Sequence, residues 1–285
     1  MKPEYKPFVD ELIELCIRED IGDGDHTSLS CIPADEHGRM RLLCKQEGTI
    51  AGIEIAQLVL QRLDPEMKFE QILHDGDRVA PGDVAFYVSG RLRSLLQAER
   101  ILLNIMQRMS GVATQTAVYV KRLEGLRTKV LDTRKTTPGM RVFEKAAVEI
   151  GGGSNHRYNL STAVMLKDNH IDAAGGVTRA IEMARAHASF TTTVEIECEN
   201  LDMVREAVEA GADIIMFDNM THDDMADAIE LIAGRAKTEC SGNVDASNIR
   251  ALADLGVDFI SSGALTHSAP ILDLSLKHLR LLDGK

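Results

Sequence analysis

From residue 129 onward, short apolar segments recur at a nearly regular interval. KVLD (129–132), AVMLK (163–167), TVEIE (193–197), DIIMF (213–217), TEC (238–240) and DFISS (258–262) read as strands, with centres about 20–35 residues apart. Helical periodicity fills the gaps at 141–150, 176–187, 201–210, 222–233 and 245–254. Ala210-Gly211-Ala212-Asp213 and Leu255-Gly256-Val257-Asp258 read as helix ends that lead straight into the next strand. Helices of this length return the chain to its starting edge, so successive strands run parallel. The class is α/β, as either an open doubly wound sheet or a βα barrel.

The polar residues decide between these. Thr133-Arg134-Lys135 follows the first strand, and Lys167-Asp168-Asn169-His170 the second. Glu197 ends the third and Asp218-Asn219 the fourth, while Ser241-Gly242-Asn243 and Gly263-Ala264 follow the last two. An open sheet concentrates such residues at one switch point, whereas a barrel gathers every strand end at one mouth. Six polar ends in succession favour the barrel.

Residues 1–125 carry a different mixture. Phe8, Val9, Leu12, Ile13 and Cys16 recur with a helical period, Met40, Leu42 and Cys44 alternate like a strand, and 53–63 reads as a helix. HDGDRVAPGD (74–83) is a turn cluster between KFEQIL and VAFYV, and a helical pattern from Arg91 to about Glu124 looks divided near Ser110-Gly111. The expected organisation is therefore an N-terminal α+β domain (1–125), a βα-barrel domain (126–271), and a tail (272–285) that can pack with the first.

Charge limits the partners. Thirty-two basic against 44 acidic residues give a net charge of −12, without tryptophan, which argues against a nucleic-acid surface. No apolar run is long enough to span a membrane, and the N-terminus has no export signal, so the expectation is a cytoplasmic protein with no membrane partner. Five cysteines without a C-x-x-C pair suit reduced thiols. Any anionic ligand must be held by local cations working against this field. Arg134, Lys135, Arg157 and Lys167, with His156 among them, can supply that charge, Arg as a two-pronged carboxylate grip and Lys as a point charge. Taken singly, each is as readily a solvated loop charge. Glu197 and Asp218 are hard oxygen donors suited to Mg2+ shared with substrate phosphates. Ser241-Gly242 and Gly263-Ala264 can offer backbone N–H groups to phosphate, aided by a following helix dipole. EDIGDGDHTS (19–28) lacks the glutamate that a calcium loop needs at its twelfth position.

In chain order, Glu99-Arg100, DTRKTTPGMR (132–141), GGGSNHR (151–157), LKDNH (166–170), VEIE (194–197), Asp218-Asn219, SGN (241–243) and GALTHS (263–268) resemble the quinolinate phosphoribosyltransferase family. EDIGDGDHTS resembles its N-terminal segment as well. The resemblance implies an incomplete, seven-stranded βα barrel beside an N-terminal α+β domain, and a homodimer, or a higher oligomer, in which the partner's Arg100 completes each site. It implies that Arg134, His156, Arg157 and Lys167 bind the two carboxylates of quinolinate, with Lys135 close by. Glu197 and Asp218 would hold Mg2+ and the ribose or pyrophosphate of phosphoribosyl pyrophosphate, while Ser241, Gly242, Gly263 and His267 would bind phosphate. Lys135, Lys167, Glu197 and Asp218 are then the residues expected closest to the chemistry. The implied reaction yields nicotinate mononucleotide, pyrophosphate and CO2 in NAD biosynthesis. Five cations against two carboxylates suit a dianion better than a monocarboxylate such as nicotinate. A non-catalytic phosphometabolite sensor would not need Glu197 and Asp218.

Overall fold

The computed structural model describes residues 2–282 as two compact units. One comprises 2–117, 137–152 and 269–282; the other comprises 118–136 and 153–268; residues 283–285 of the expected tail lie outside the described residues.

The first unit begins with helices α1 (Lys6–Ile21) and α2 (His26–Cys31). Between them EDIGDGDHTS serves as helix punctuation: Gly22 caps α1, and the Asp25 carboxylate caps α2 by accepting the Ser28 N–H at 3.0 Å. Strands β1 (His37–Cys44), β2 (Gly48–Thr49), β3 (Lys68–Gln71), β4 (Arg78–Val79) and β5 (Val84–Arg91) follow, with α3 (Ile53–Leu63) inserted after β2. β1 buries Met40, Leu42 and Cys44 on one face, as their alternation predicts. It pairs antiparallel with β5 and with a strand near the C-terminus, Leu274–Leu281.

The long helix α4 (Leu92–Arg122) is continuous through Ser110 and Gly111, where the sequence suggests a division. Both residues serve packing there. The Ser110 hydroxyl accepts the N–H of Ala51 at 2.9 Å and donates to the Ala51 carbonyl at 3.1 Å. A Cβ on Gly111 would stand 1.9 Å from the carbonyl oxygen of Pro270, so the glycine admits a crossing chain instead of ending a helix. Helix α5 (Arg141–Ile150), expected with the barrel, clusters with this unit. Its fully buried Glu144 pairs with Arg108 of α4 at 2.8 Å. The second unit likewise begins at Val118, within the last turns of α4, and not at 126.

The second unit carries β6 (Lys129–Leu131), β7 (Val164–Leu166), β8 (Val194–Cys198), β9 (Ile214–Asp218), β10 (Lys237–Ser241) and β11 (Phe259–Ser261) in one parallel sheet, ordered β6-β11-β10-β9-β8-β7. Each overlaps a strand read from the sequence. A seventh position is filled by one residue: Ser154 bridges Leu131 in parallel, donating its N–H to Val130 at 2.9 Å and accepting the Asp132 N–H at 3.2 Å. The result is an incomplete barrel, open beside β7. Helices α6 (Asp168–Ala174), α7 (Val177–His187), α8 (Leu201–Glu209), α9 (His222–Ile232), α10 (Ile249–Asp254) and α11 (Ala264–His267) connect the strands. The sequence reading missed α6, because the polar string after Lys167 looks like a loop. The aspartates of the two Gly-x-Asp turns fasten neighbouring strands. Asp213 accepts the Val194 N–H at 2.7 Å, and Asp258 accepts that of Thr238 at 3.0 Å.

Gly111→Ala is expected to cost about 3 kcal/mol or more, because neither the helix nor the Pro270 backbone can yield without repacking. Urea denaturation midpoints of the variant and the parent chain measure it.

Candidate active site

Parallel register selects the residues that face the barrel interior. Met165, Glu195, Ile214 and Lys237 align on one rung, and Glu197, Met216, Glu239 and Phe259 on another. Asp218 aligns with Ser241 one rung higher. The period of two puts all of them on the same face. The intervening Ile196, Ile215, Phe217, Cys240 and Ile260 are buried on the other face, where helices pack against the sheet. Burial pushes the Cys240 thiol up to about 11, in keeping with its reading as a strand residue and not a nucleophile.

At the C-terminal ends of the strands lies a cavity of about 730 Å³. Nine of the twelve expected site residues line it: Arg134, Lys135, His156, Arg157, Lys167, Glu197, Asp218, Ser241 and Gly242. Around the mouth they sort by charge. Arg134 and Lys135 follow β6, Arg157 follows the Ser154 bridge, and Lys167 follows β7, so the cations form one continuous arc. Glu197 and Asp218 end the neighbouring strands β8 and β9. The uncharged Ser241, Gly242 and Asn243 at the end of β10 come next, and β11 leads back to β6.

Three expected residues stand elsewhere. Gly263 and His267 do not line the cavity but adjoin it through Lys135: a Cβ on Gly263 would lie 2.9 Å from both the Lys135 Cδ and the His267 ring. Arg100 is exposed on α4, in the first unit, and is absent from the cavity wall. The helix dipole expected beside Ser241-Gly242 is absent as well. α10 begins only at Ile249, and residues 245–248 form a turn in which Asp245 accepts the N–H groups of Ser247 and Asn248 at 2.7 and 3.2 Å. Gly242 has φ +94°, and a Cβ there would meet the Asn219 amide oxygen at 2.7 Å, so glycine is needed for this loop to close. Thr133, Met165, Met216, Asn219, Asn243 and Ser261 complete the lining.

The cations crowd one another. Burial and the neighbouring Arg134 guanidinium push Arg157 below its ordinary value, against the opposing pull of Glu195 and Glu197. Arg157 is braced by donating to the Ala163 carbonyl at 3.2 Å. Lys167 reaches across to Glu197 in an ion pair that joins the cationic arc to the acidic one. Lys135 is held through its backbone, its N–H donating to the Thr133 hydroxyl at 3.0 Å and its carbonyl accepting from that of Thr266 at 2.9 Å. Glu197 and Asp218 present hard oxygens on adjacent strands, a donor set that fits a small divalent cation shared with ligand oxygens.

Beneath the cavity are two acids that the sequence reading passed over. Glu195 and Glu239 are 2 % and 0 % exposed. The His156 Nε2 lies 3.0 Å from a Glu195 carboxylate oxygen and 3.6 Å from one of Glu239. Burial, then the Glu195 charge, pushes Glu239 up to about 7. A signal was available: in VEIE the two glutamates are two apart on one strand, so whichever face holds Glu197 also holds Glu195.

Comparison with known proteins agrees with this geometry. The quinolinate phosphoribosyl transferase C-terminal domain family matches residues 112–277, and the corresponding N-terminal domain family matches residues 25–110. The chain belongs to the quinolinate phosphoribosyltransferase family. It is 42 % identical over 276 residues to a probable carboxylating nicotinate-nucleotide pyrophosphorylase of Synechocystis, covering 96 % of this chain and 93 % of that one. A Bacillus subtilis protein of the same description is 42 % identical over 260 residues, covering 90 % and 89 %. The crystal structure of NadC from Streptococcus pyogenes superposes with a TM-score of 0.94 at 46 % identity, covering 99 % of each chain. Human nicotinic acid phosphoribosyltransferase shares the fold at 13 % identity and a TM-score of 0.62, covering 94 % of this chain and 74 % of that one.

The raised pKa of Glu239 has a consequence for stability. Between the ordinary glutamate range and about 7, the folded chain holds a proton that the unfolded chain releases, so this group makes stability fall as pH rises through that window. Glu239→Gln is expected to remove the fall. Relative to the parent chain, it gains on the order of 2 kcal/mol between pH 5 and pH 8, as read from urea midpoints at the two pH values.

Proposed function

We propose that this protein transfers the phosphoribosyl group of phosphoribosyl pyrophosphate to quinolinate with loss of CO2, giving nicotinate mononucleotide for NAD biosynthesis. The observation that carries the reading is the division of one cavity into a cationic arc, an acidic pair and the uncharged lining of Ser241, Gly242 and Asn243. Quinolinate is a dianion, and Arg134, Arg157 and Lys167 are the cations placed to take its two carboxylates, with His156 and Lys135 beside them. The crowding of Arg134 and Arg157 is what an anion relieves. A monocarboxylate would leave more of that charge unmatched.

Glu197 and Asp218 face the ribose and pyrophosphate of the second substrate. When Mg2+ is bound there, it neutralises charge building on the departing pyrophosphate. Ser241, Gly242, Gly263 and His267 receive phosphate, the first two from the loop after β10 and the others beside Lys135. The pyridine nitrogen attacks C1 of the ribose as the C1–O bond to pyrophosphate breaks, and the bonding pair leaves with pyrophosphate. The fixed cations hold the ring in line for this displacement. The alkylated nitrogen is then cationic and accepts the electron pair released when the 2-carboxylate departs as CO2. A solvent proton completes the ring. No side chain needs to act as a general base.

Arg100 enters this reading from a second copy of the chain. It is exposed on α4 of the first unit, and in this reading it completes the partner's site in a homodimer. The acidic balance supports a cytoplasmic setting, and among the described residues no helix is long and apolar enough to cross a membrane.

Release of both pyrophosphate and CO2 from the two substrates, dependent on Mg2+, is the expected result with purified protein; turnover of nicotinate in preference to quinolinate would overturn the assignment. Arg134→Ala is expected to weaken quinolinate binding by about 2–5 kcal/mol in calorimetry, the cost of removing one partner of a desolvated charge pair. An affinity within about threefold of the parent would contradict the role given to Arg134.

A further inference from the structure

His156 stands among cations, and its place in the cavity wall suggests a fifth positive charge for the dicarboxylate. Its hydrogen bonds point elsewhere. A backbone N–H can only donate, and that of Arg157 points at the His156 Nδ1 at 2.7 Å. Nδ1 therefore accepts and carries no proton. The other nitrogen, Nε2, faces down into the barrel, 3.0 Å from a Glu195 carboxylate oxygen, which accepts an N–H; Glu239, 3.6 Å away, is beyond hydrogen-bond reach. An imidazolium would set an Nδ1–H against the Arg157 N–H. Both ring nitrogens are thus engaged by the protein, and the tautomer is defined.

We infer that Glu195 is a positioning residue: it holds His156 as a neutral, Nε2-protonated imidazole that in turn sets the backbone of Arg157, so that His156 supports the carboxylate-binding arginine and adds no charge of its own. The chain of contacts is continuous. Glu195 and Glu239 sit on β8 and β10, whose register is set by the sheet. Glu195 holds the ring by Nε2; the ring holds the Arg157 N–H by Nδ1; and the buried Asp132 accepts the His156 backbone N–H at 2.8 Å, closing the loop from the other side. The loop after the Ser154 bridge has no strand of its own to fix it, since the seventh barrel position is one residue long. The buried acids supply what pairing does not. This inference rests on the proposed function only in naming quinolinate as the ligand that Arg157 meets.

The test has two arms. The first needs no substrate: 15N-histidine spectra of the whole protein, with His156 assigned by its loss in His156→Gln, are expected to give the Nε2–H tautomer with an unprotonated Nδ1 between pH 6 and 8. An imidazolium signature, or the Nδ1–H tautomer, at pH 7.5 would overturn the inference, even if the enzyme proved to act on another acid. In the second arm, Glu195→Met removes the acceptor, and Glu195→Gln keeps an amide oxygen in its place. The Met variant is expected to lose the tautomer preference and raise the KM for quinolinate on the order of tenfold, with kcat within about twofold. The Gln variant is expected to restore both. A Met variant that folds and keeps the parent's tautomer and KM would equally overturn the inference. Should it fail to fold, the spectra of the parent protein still decide.

Discussion

Parallel strand pairing in register is the constraint on which the site depends. Because the pleat alternates with a period of two, one register choice sends Glu195, Glu197, Asp218, Glu239 and Ser241 to the interior and packs Ile196, Phe217, Cys240 and Ile260 under the helices. A slip of one residue on any of these strands would bury carboxylates among aliphatic side chains and turn the site out of the barrel. The hydrophobic demand of the outer face therefore enforces the polar arrangement of the inner one.

The interior that results is under electrostatic tension in two layers. At the mouth, Arg134 and Arg157 repel each other in a partly desolvated wall, and Lys167 leans on Glu197. One layer down, Glu195 meets the His156 imidazole, and Glu239, buried beside them, is raised toward neutrality. Folding tolerates both because the sheet and its helices over-determine the positions of these side chains. The upper layer is left to be relieved by anions that bind and depart, the lower one by the proton that burial keeps on Glu239. A site that must hold two highly charged substrates against each other benefits from having its own opposing charges arranged beforehand.

Much of this was legible in the chain. The βα rhythm located all six strands of the sheet, and the polar residues at the strand ends gave seven of the expected residues that line the cavity, while His156 and Arg157 came from the cation set and the GGGSNHR motif. Where the reading failed, the cause was physical. Ser110-Gly111 carries the composition of a helix break, yet there it admits the backbone of residues 270–271, a contact made by chain some 160 residues away. Helix α6 hides in a polar string because it is short and mostly exposed. Glu195 and Glu239 were overlooked because buried acids in a strand look like errors of pattern until a histidine from another loop is seen between them.

Local patterns by themselves determined the element types, their parallel order and the chemical kinds of residue at each strand end, since propensity, hydrophobic period and turn composition act over a few neighbours. Only the tertiary structure decided how those ends sort into arcs of charge, which nitrogen of His156 carries its proton, and that α5 joins the first unit through Glu144 and Arg108. Each of these turns on an approach of a few ångströms between residues distant in sequence, and such distances are set by packing a whole sheet and not by any local preference.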